Sequence, residues 1–153
     1  MIEQRLVDFI HAAPWFTLGT RDAKLHPHGC FLMGGRMDAT KGLLSVFLPE
    51  ALGGRTIPDL RETRIAAVNL GEEVHHESYQ LKGEVVDLHP ITEAEAAVMG
   101  VFVPKMVTAT AAFGVPVQDW KFPPLQPALT IAIRVTDVYV QTPGPGAGTR
   151  IGP

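Results

Sequence analysis

The chain has 153 residues, enough for one domain with its own core, and it is 46% apolar against 19% charged, which excludes intrinsic disorder. Its net charge is −3 and no segment carries a basic run, which excludes an electrostatic nucleic-acid footprint. A lone Cys30 excludes an internal disulfide and a multi-cysteine zinc site within one chain. The most apolar stretch, 98–117, is interrupted by Pro104, Lys105 and Pro116 and makes a poor membrane span. Residues 1–16 carry acidic groups and lack the continuous apolar run of a signal peptide, so a soluble cytoplasmic domain is expected.

Ile2 to Ala12 reads as a short amphipathic helix, with Ile2, Leu6, Phe9 and Ile10 at helical spacing and Pro14 as its stop. Strands follow over 15–20, 29–33 and 43–48, separated by polar turns at 21–24 and 38–42, with Gly34-Gly35 marking a bulge or bend. Short turns between strands give an antiparallel meander rather than βαβ units. Gly53-Gly54 then hinge a loop into a helix of one or two turns, with Thr56 as its N-cap and Pro58 in its first turn. A fourth strand covers 65–70 and a long fifth covers 78–88, with Gly83 placed to bulge its middle.

Thr92 and Glu95 have the spacing of a capping box, and the helix they open is expected to break near Gly100 and Pro104, with a second helix over 105–113. The proline-rich segment 115–127 reads as irregular, and Ala128 to Gln141 as the clearest strand. Six strands with helical excursions imply a mainly β, α+β fold: a six-stranded antiparallel barrel with flanking helices. Residues 1–142 form the domain and 143–153 a Gly/Pro-rich tail.

Two local patterns, taken in this order, carry a family resemblance. One is Leu18-Gly19-Thr20 followed by Leu25-His26-Pro27-His28-Gly29; the other is Val46-Phe47-Leu48 followed by Gly54-Arg55-Thr56-Ile57-Pro58-Asp59-Leu60. The strand with a central glycine, Tyr79 to Val85, completes them. The sequence resembles the pyridoxamine 5′-phosphate oxidase-like, FMN-binding split-barrel superfamily over roughly residues 2–139. The resemblance implies a split β-barrel that binds FMN at a two-fold interface, hence a homodimer.

By the same resemblance, Arg55 and Thr56 hold the FMN phosphate. His28, Gly29, Cys30 and Phe31 line the isoalloxazine ring, Val46, Phe47 and Leu48 flank it, and Ser78 and Gln80 approach its polar edge. The residue chemistry agrees at the phosphate, since an arginine fork, a hydroxyl and a helix N-terminus suit a dianion. Without the resemblance, Arg55 reads more readily as a surface arginine after a flexible loop than as a phosphate ligand.

The chain also departs from the family pattern. Cys30 and Gly35 stand near positions where the oxidase carries an arginine and a lysine, and Thr56 stands where it has a second basic residue. Arg36 is a candidate substitute cation. The oxidase's aromatic C-terminal substrate segment is not matched by residues 141–146, so oxidation of pyridoxamine phosphate is not expected.

His26-Pro27-His28 and His75-His76-Glu77 invite a metal site, but neither spacing completes a ligand set, and no metal is expected. His75 and His76 read as an exposed loop, Cys30 as a small strand hydrophobe, Trp15 as core or interface and Lys82 as solvent-facing. Trp120 is a candidate cap for a pocket. No hydrolase set of Ser, His and Asp or of paired carboxylates can be assembled. The expected function is an FMN-dependent oxidoreductase acting on a small molecule. The alternatives are the same fold carrying a deazaflavin or haem, or a flavin-binding or interaction protein without redox work.

Overall fold

The computed structural model describes residues 2–115 and 122–153. Its elements in chain order are α1 (Gln4–Ala12), β1 (Trp15–Arg21), β2 (Pro27–Phe31), β3 (Gly35–Asp38), β4 (Leu43–Pro49), α2 (Glu50–Gly53) and α3 (Thr56–Thr63). There follow β5 (Ile65–Gly71), β6 (Ser78–Pro90), α4 (Glu93–Ala111), β7 (Ala128–Val140) and β8 (Arg150–Gly152). The strands form one antiparallel sheet in the order β2-β1-β5-β6-β7-β4-β3, with β8 added to β7.

The sheet has eight strands rather than the six expected. The strand expected over 29–33 is β2 at Pro27–Phe31, a further strand, β3, begins at Gly35 beyond the bend at 32–34, and Arg150–Gly152 pairs at the end of the tail. That bend links the two ends of the sheet. Leu32 N–H donates to the Phe16 carbonyl at 3.0 Å, Met33 N–H donates to the Phe47 carbonyl at 2.8 Å, and Phe47 N–H returns to the Gly34 carbonyl at 3.1 Å. Main-chain bonds from one bent segment therefore tie β1 to β4.

Alternation sets the inside of the barrel. Phe16, Leu18 and Thr20 of β1 point inward, and Ala66, Val68 and Leu70 of β5 do the same. Leu44, Val46, Leu48, Ile131 and Ile133 complete the core from β4 and β7. Gly83 allows β6 to lie against β7: a Cβ there would overlap the Arg134 carbonyl, and the pairing register slips between Lys82 and Gly83.

The capping box at Thr92 and Glu95 is present, with Thr92 Oγ1 accepting from the Glu95 N–H at 3.3 Å and Glu95 Oε2 accepting from the Thr92 N–H at 2.9 Å. The break expected after Gly100 is absent, and α4 runs unbroken for 19 residues. Pro104 sits on its exposed side, while Met99, Phe102, Met106 and Thr110 form one buried stripe. Packing along that stripe outweighs the one helical bond that proline removes. By length and composition α4 is apolar enough to cross a membrane. Trp120 lies outside the described residues.

Candidate functional site

The α2–α3 junction is built by a glycine. Gly54 adopts φ 45° and ψ −123°, a conformation suited to a residue without Cβ, and turns the chain from α2 into α3. Arg55, not Thr56, occupies the N-cap position, and no side chain caps the helix. Thr56 is the first helical residue and is 1% exposed; its Oγ1 donates to the Gly53 carbonyl at 2.6 Å and lies 3.4 Å from Cys30 Sγ. Its one hydroxyl proton is thus already committed. Because Pro58 has no N–H, the first turn offers the main-chain N–H groups of Thr56 and Ile57. The Arg55 side chain is exposed and makes no hydrogen bond or ion pair among the described residues.

Behind this helix start lies a buried polar cluster that sequence reasoning missed. Asp59 is 1% exposed, and its Oδ2 accepts from Thr20 Oγ1 at 2.7 Å and meets His28 Nδ1 at 2.8 Å. Burial pushes the Asp59 carboxyl up, but the hydrogen bonds from Thr20 and His28 prevail and hold it below the ordinary carboxylate range. With Nδ1 donating to Asp59, a neutral His28 ring carries its lone pair on Nε2. Thr20 and His28 face each other across β1 and β2, a pairing that follows from one short turn. Nothing in the spacing of 28 and 59 announces their contact.

Arg55 borders an open hollow of about 370 Å³ that is also lined by Asp22, Lys24, His26 and Glu62. Asp22 organises the β1–β2 turn on its rim. Its Oδ1 accepts from the main-chain N–H groups of Lys24 at 2.8 Å and His26 at 2.9 Å, and its Oδ2 meets the His26 ring at 3.0 Å. The His26 main-chain and ring bonds, outweighing burial, take the Asp22 carboxyl down to about 2. The same turn holds Leu25 at φ 68°, an unusual conformation for a bulky residue.

The eleven residues expected at the site fall into three environments. His28, Cys30, Arg55 and Thr56 gather around the start of α3, where burial pushes the Cys30 thiol up. Gly29, Phe31, Ser78 and Gln80 lie on the outward face of the sheet. Cross-strand register carries that face from Phe31 through Thr17 and Asn69 to Gln80. Three strand spacings separate Phe31 from Gln80, about 14 Å. Gln80 Nε2 donates to Asn69 Oδ1 at 3.0 Å, and Ser78 Oγ donates to the His76 carbonyl at 3.4 Å. Val46, Phe47 and Leu48 are 0%, 1% and 0% exposed, so their side chains belong to the core, and their main chain is paired with β7 on one side and with the 33–35 segment on the other.

Arg36 does not join Arg55. It lies on β3, in a separate hollow formed with α1 and α4. Lys82 faces outward with its Nζ 4.7 Å from the Tyr139 ring centre. Trp15 is half-buried and donates to Glu73 at 2.9 Å. His75 is exposed and lies 3.7 Å from Glu72. Among the described residues, no three His, Cys, Asp or Glu side chains converge as a metal site.

No protein-family model matches the chain, and no curated protein matches it. Solved structures do. The chain is similar to HupZ of Group A Streptococcus, with a TM-score of 0.60 and 17% identity over 97% of this chain and 99% of that one. It is similar to an F420 reductase, with a TM-score of 0.57 and 13% identity over 86% and 93%. It is also similar to a pyridoxamine 5′-phosphate oxidase-related, FMN-binding protein of Nostoc punctiforme, with a TM-score of 0.54 and 12% identity over 99% and 96%. The helix-flanked antiparallel sheet described above is therefore a fold shared with these proteins, the FMN-binding, pyridoxamine 5′-phosphate oxidase-related one among them.

Proposed function

We propose that this chain is an FMN-binding flavoprotein that works as a cytoplasmic homodimer, with the cofactor between the two copies, and that it is a flavin-dependent oxidoreductase of small molecules. The observation that carries the reading is the uncapped start of α3 beside an Arg55 guanidinium with no partner among the described residues, on a fold shared with a protein named as FMN-binding. A phosphate monoester is matched by a planar cation and convergent main-chain N–H groups, and the Arg55 side chain with the Thr56 and Ile57 amides is such a set. Three carboxylates share the hollow, but two are already satisfied: Asp22 by His26 and Lys24, and Asp59 by Thr20 and His28. Glu62 receives one long contact, from the Ala23 N–H at 3.4 Å.

Gly29 and Phe31 are the residues that would meet the ring on the outward face, with Cys30 behind them. When bound, FMN supplies the one- and two-electron chemistry; the chain binds it, orients it and excludes water around it. The outward face also supports the dimer. Phe31 and Ile65 are 57% and 42% exposed on either side of a smooth strip made by Gly29, Gly19 and Ala67.

Arg55→Ala tests the phosphate assignment in an FMN titration of the whole chain. Affinity should fall by more than ~1 kcal/mol, about fivefold, given the strength of charge-assisted bonds. An unchanged titration removes the assignment. The likeness to an F420 reductase favours one second reading, a deazaflavin in the same place. A purified protein lacking the oxidised-flavin band near about 450 nm, yet binding a deazaflavin, would decide for it.

A further inference from the structure

The hollow that contains Arg36 has no part in the flavin reading. It is a cavity of about 300 Å³ between the end of α1, the Gly34–Gly35 bend and α4, at the small end of the range for ligand sites. Its floor is aromatic. Phe16 and Phe102 are 2% and 5% exposed and meet edge to face, with ring centres 5.6 Å apart at 80°. Gly34, at φ 91°, lets the main chain reach the Phe102 ring, where a Cβ would stand only 2.8 Å from it.

The rim carries nitrogen and no carboxylate. His11, Arg36 and Lys105 line it, and among the described residues no Asp or Glu does. His11 Nε2 accepts the Met37 N–H at 3.2 Å, and Lys105 Nζ donates to the His11 carbonyl at 2.5 Å. The lysine keeps two further donors. The Arg36 side chain is exposed and makes no hydrogen bond or ion pair among the described residues. In a chain of net charge −3, two cations stand over an apolar floor with no protein anion among the lining residues to neutralise them.

We propose that this hollow binds a small organic carboxylate, its aryl or branched alkyl body against Val98 and Val101 over the Phe102 floor and its carboxylate on Arg36 and Lys105. The charge pattern selects the occupant: an uncharged molecule of the same shape leaves both cations unmatched, and a fully polar anion leaves the exposed Val98 and Val101 in water.

The test uses the full chain and two probes of similar size with the same phenyl body, benzoate and benzyl alcohol, titrated by calorimetry or ligand-observed NMR. Benzoate should saturate one site per chain and bind about tenfold or more tightly than the alcohol, from hydrogen bonds to a charged group. Arg36→Gln combined with Lys105→Gln should bring benzoate down to the level of the alcohol while leaving FMN titration unchanged. That last result separates this site from the one at Arg55. Should the double variant fail to fold, Val101→Glu, at a residue 60% exposed on the rim, should repel benzoate and spare the alcohol. Absence of saturable benzoate binding, indifference to these substitutions, or loss of benzoate binding in Arg55→Ala overturns the proposal.

Discussion

Asp59→Asn keeps the shape of the side chain and removes the charge from the one buried acid among the described residues. In the folded chain Oδ2 joins α3 to β1 through Thr20 and to β2 through His28. A hydrogen bond to a charged group contributes about 1.5–3 kcal/mol. The amide oxygen can still accept both bonds, but as neutral ones of about 0.5–1.5 kcal/mol each, so roughly 2 kcal/mol is lost near pH 7. For a domain of this length that lowers Tm by about 4–8 °C.

The pH dependence has a definite sign. Burial raises the Asp59 carboxyl, the bonds from Thr20 and His28 outweigh it, and the folded value lies below the unfolded one. Its contribution is therefore fully present above the ordinary carboxylate range and is lost as pH falls below it. Urea unfolding of both proteins near pH 7 and near pH 3 should show a wide gap that closes in acid. Equal midpoints near neutrality, or a gap that persists in acid, would refute the assignment of Asp59 as an ionised tie.

Three further substitutions probe the frame. Phe102→Ala should destabilise the chain by about 3–5 kcal/mol, because the ring is buried against Phe16 and Gly34; chemical denaturation measures it. Gly83→Ala places a Cβ in the space of the Arg134 carbonyl and should reduce stability by about 1–3 kcal/mol, read from the same assay, with slower-protected amides along β6 and β7 becoming faster in hydrogen exchange. Thr92→Ala removes one half of the capping box and should lower stability by about 1 kcal/mol in thermal melts followed by circular dichroism.

What the sequence discloses follows from the range of the interactions concerned. Alternation over 128–140, the capping box at Thr92 and Glu95 and the slip at Gly83 are local patterns, and each appears in the structure where its residues stand. The continuity of α4 through Pro104 was hidden because its cause is tertiary: a buried stripe from Met99 to Thr110 overrides a local helix breaker. The bend at Gly34-Gly35 is legible, but the strand β3 after it was hidden for the same reason, since Gly35 to Asp38 becomes a strand only by pairing with β4.

At the site, Arg55 is legible as a cation after a glycine hinge. Thr56 has the residue type of an N-cap, yet Gly53 captures its hydroxyl from three residues back. The Thr20–His28–Asp59 cluster could be read only by pairing β1 with β2 and then laying α3 across them. Arg36, close to the proposed site in sequence order, is taken away from it by the turn into β3.

The most direct test of the central claim is an absorbance-monitored FMN titration of the purified full chain, run together with size-exclusion chromatography. The account predicts one FMN bound per chain on a dimer, with binding weakened in Arg55→Ala. A chain that stays monomeric and leaves the flavin spectrum unchanged at saturating FMN would contradict it.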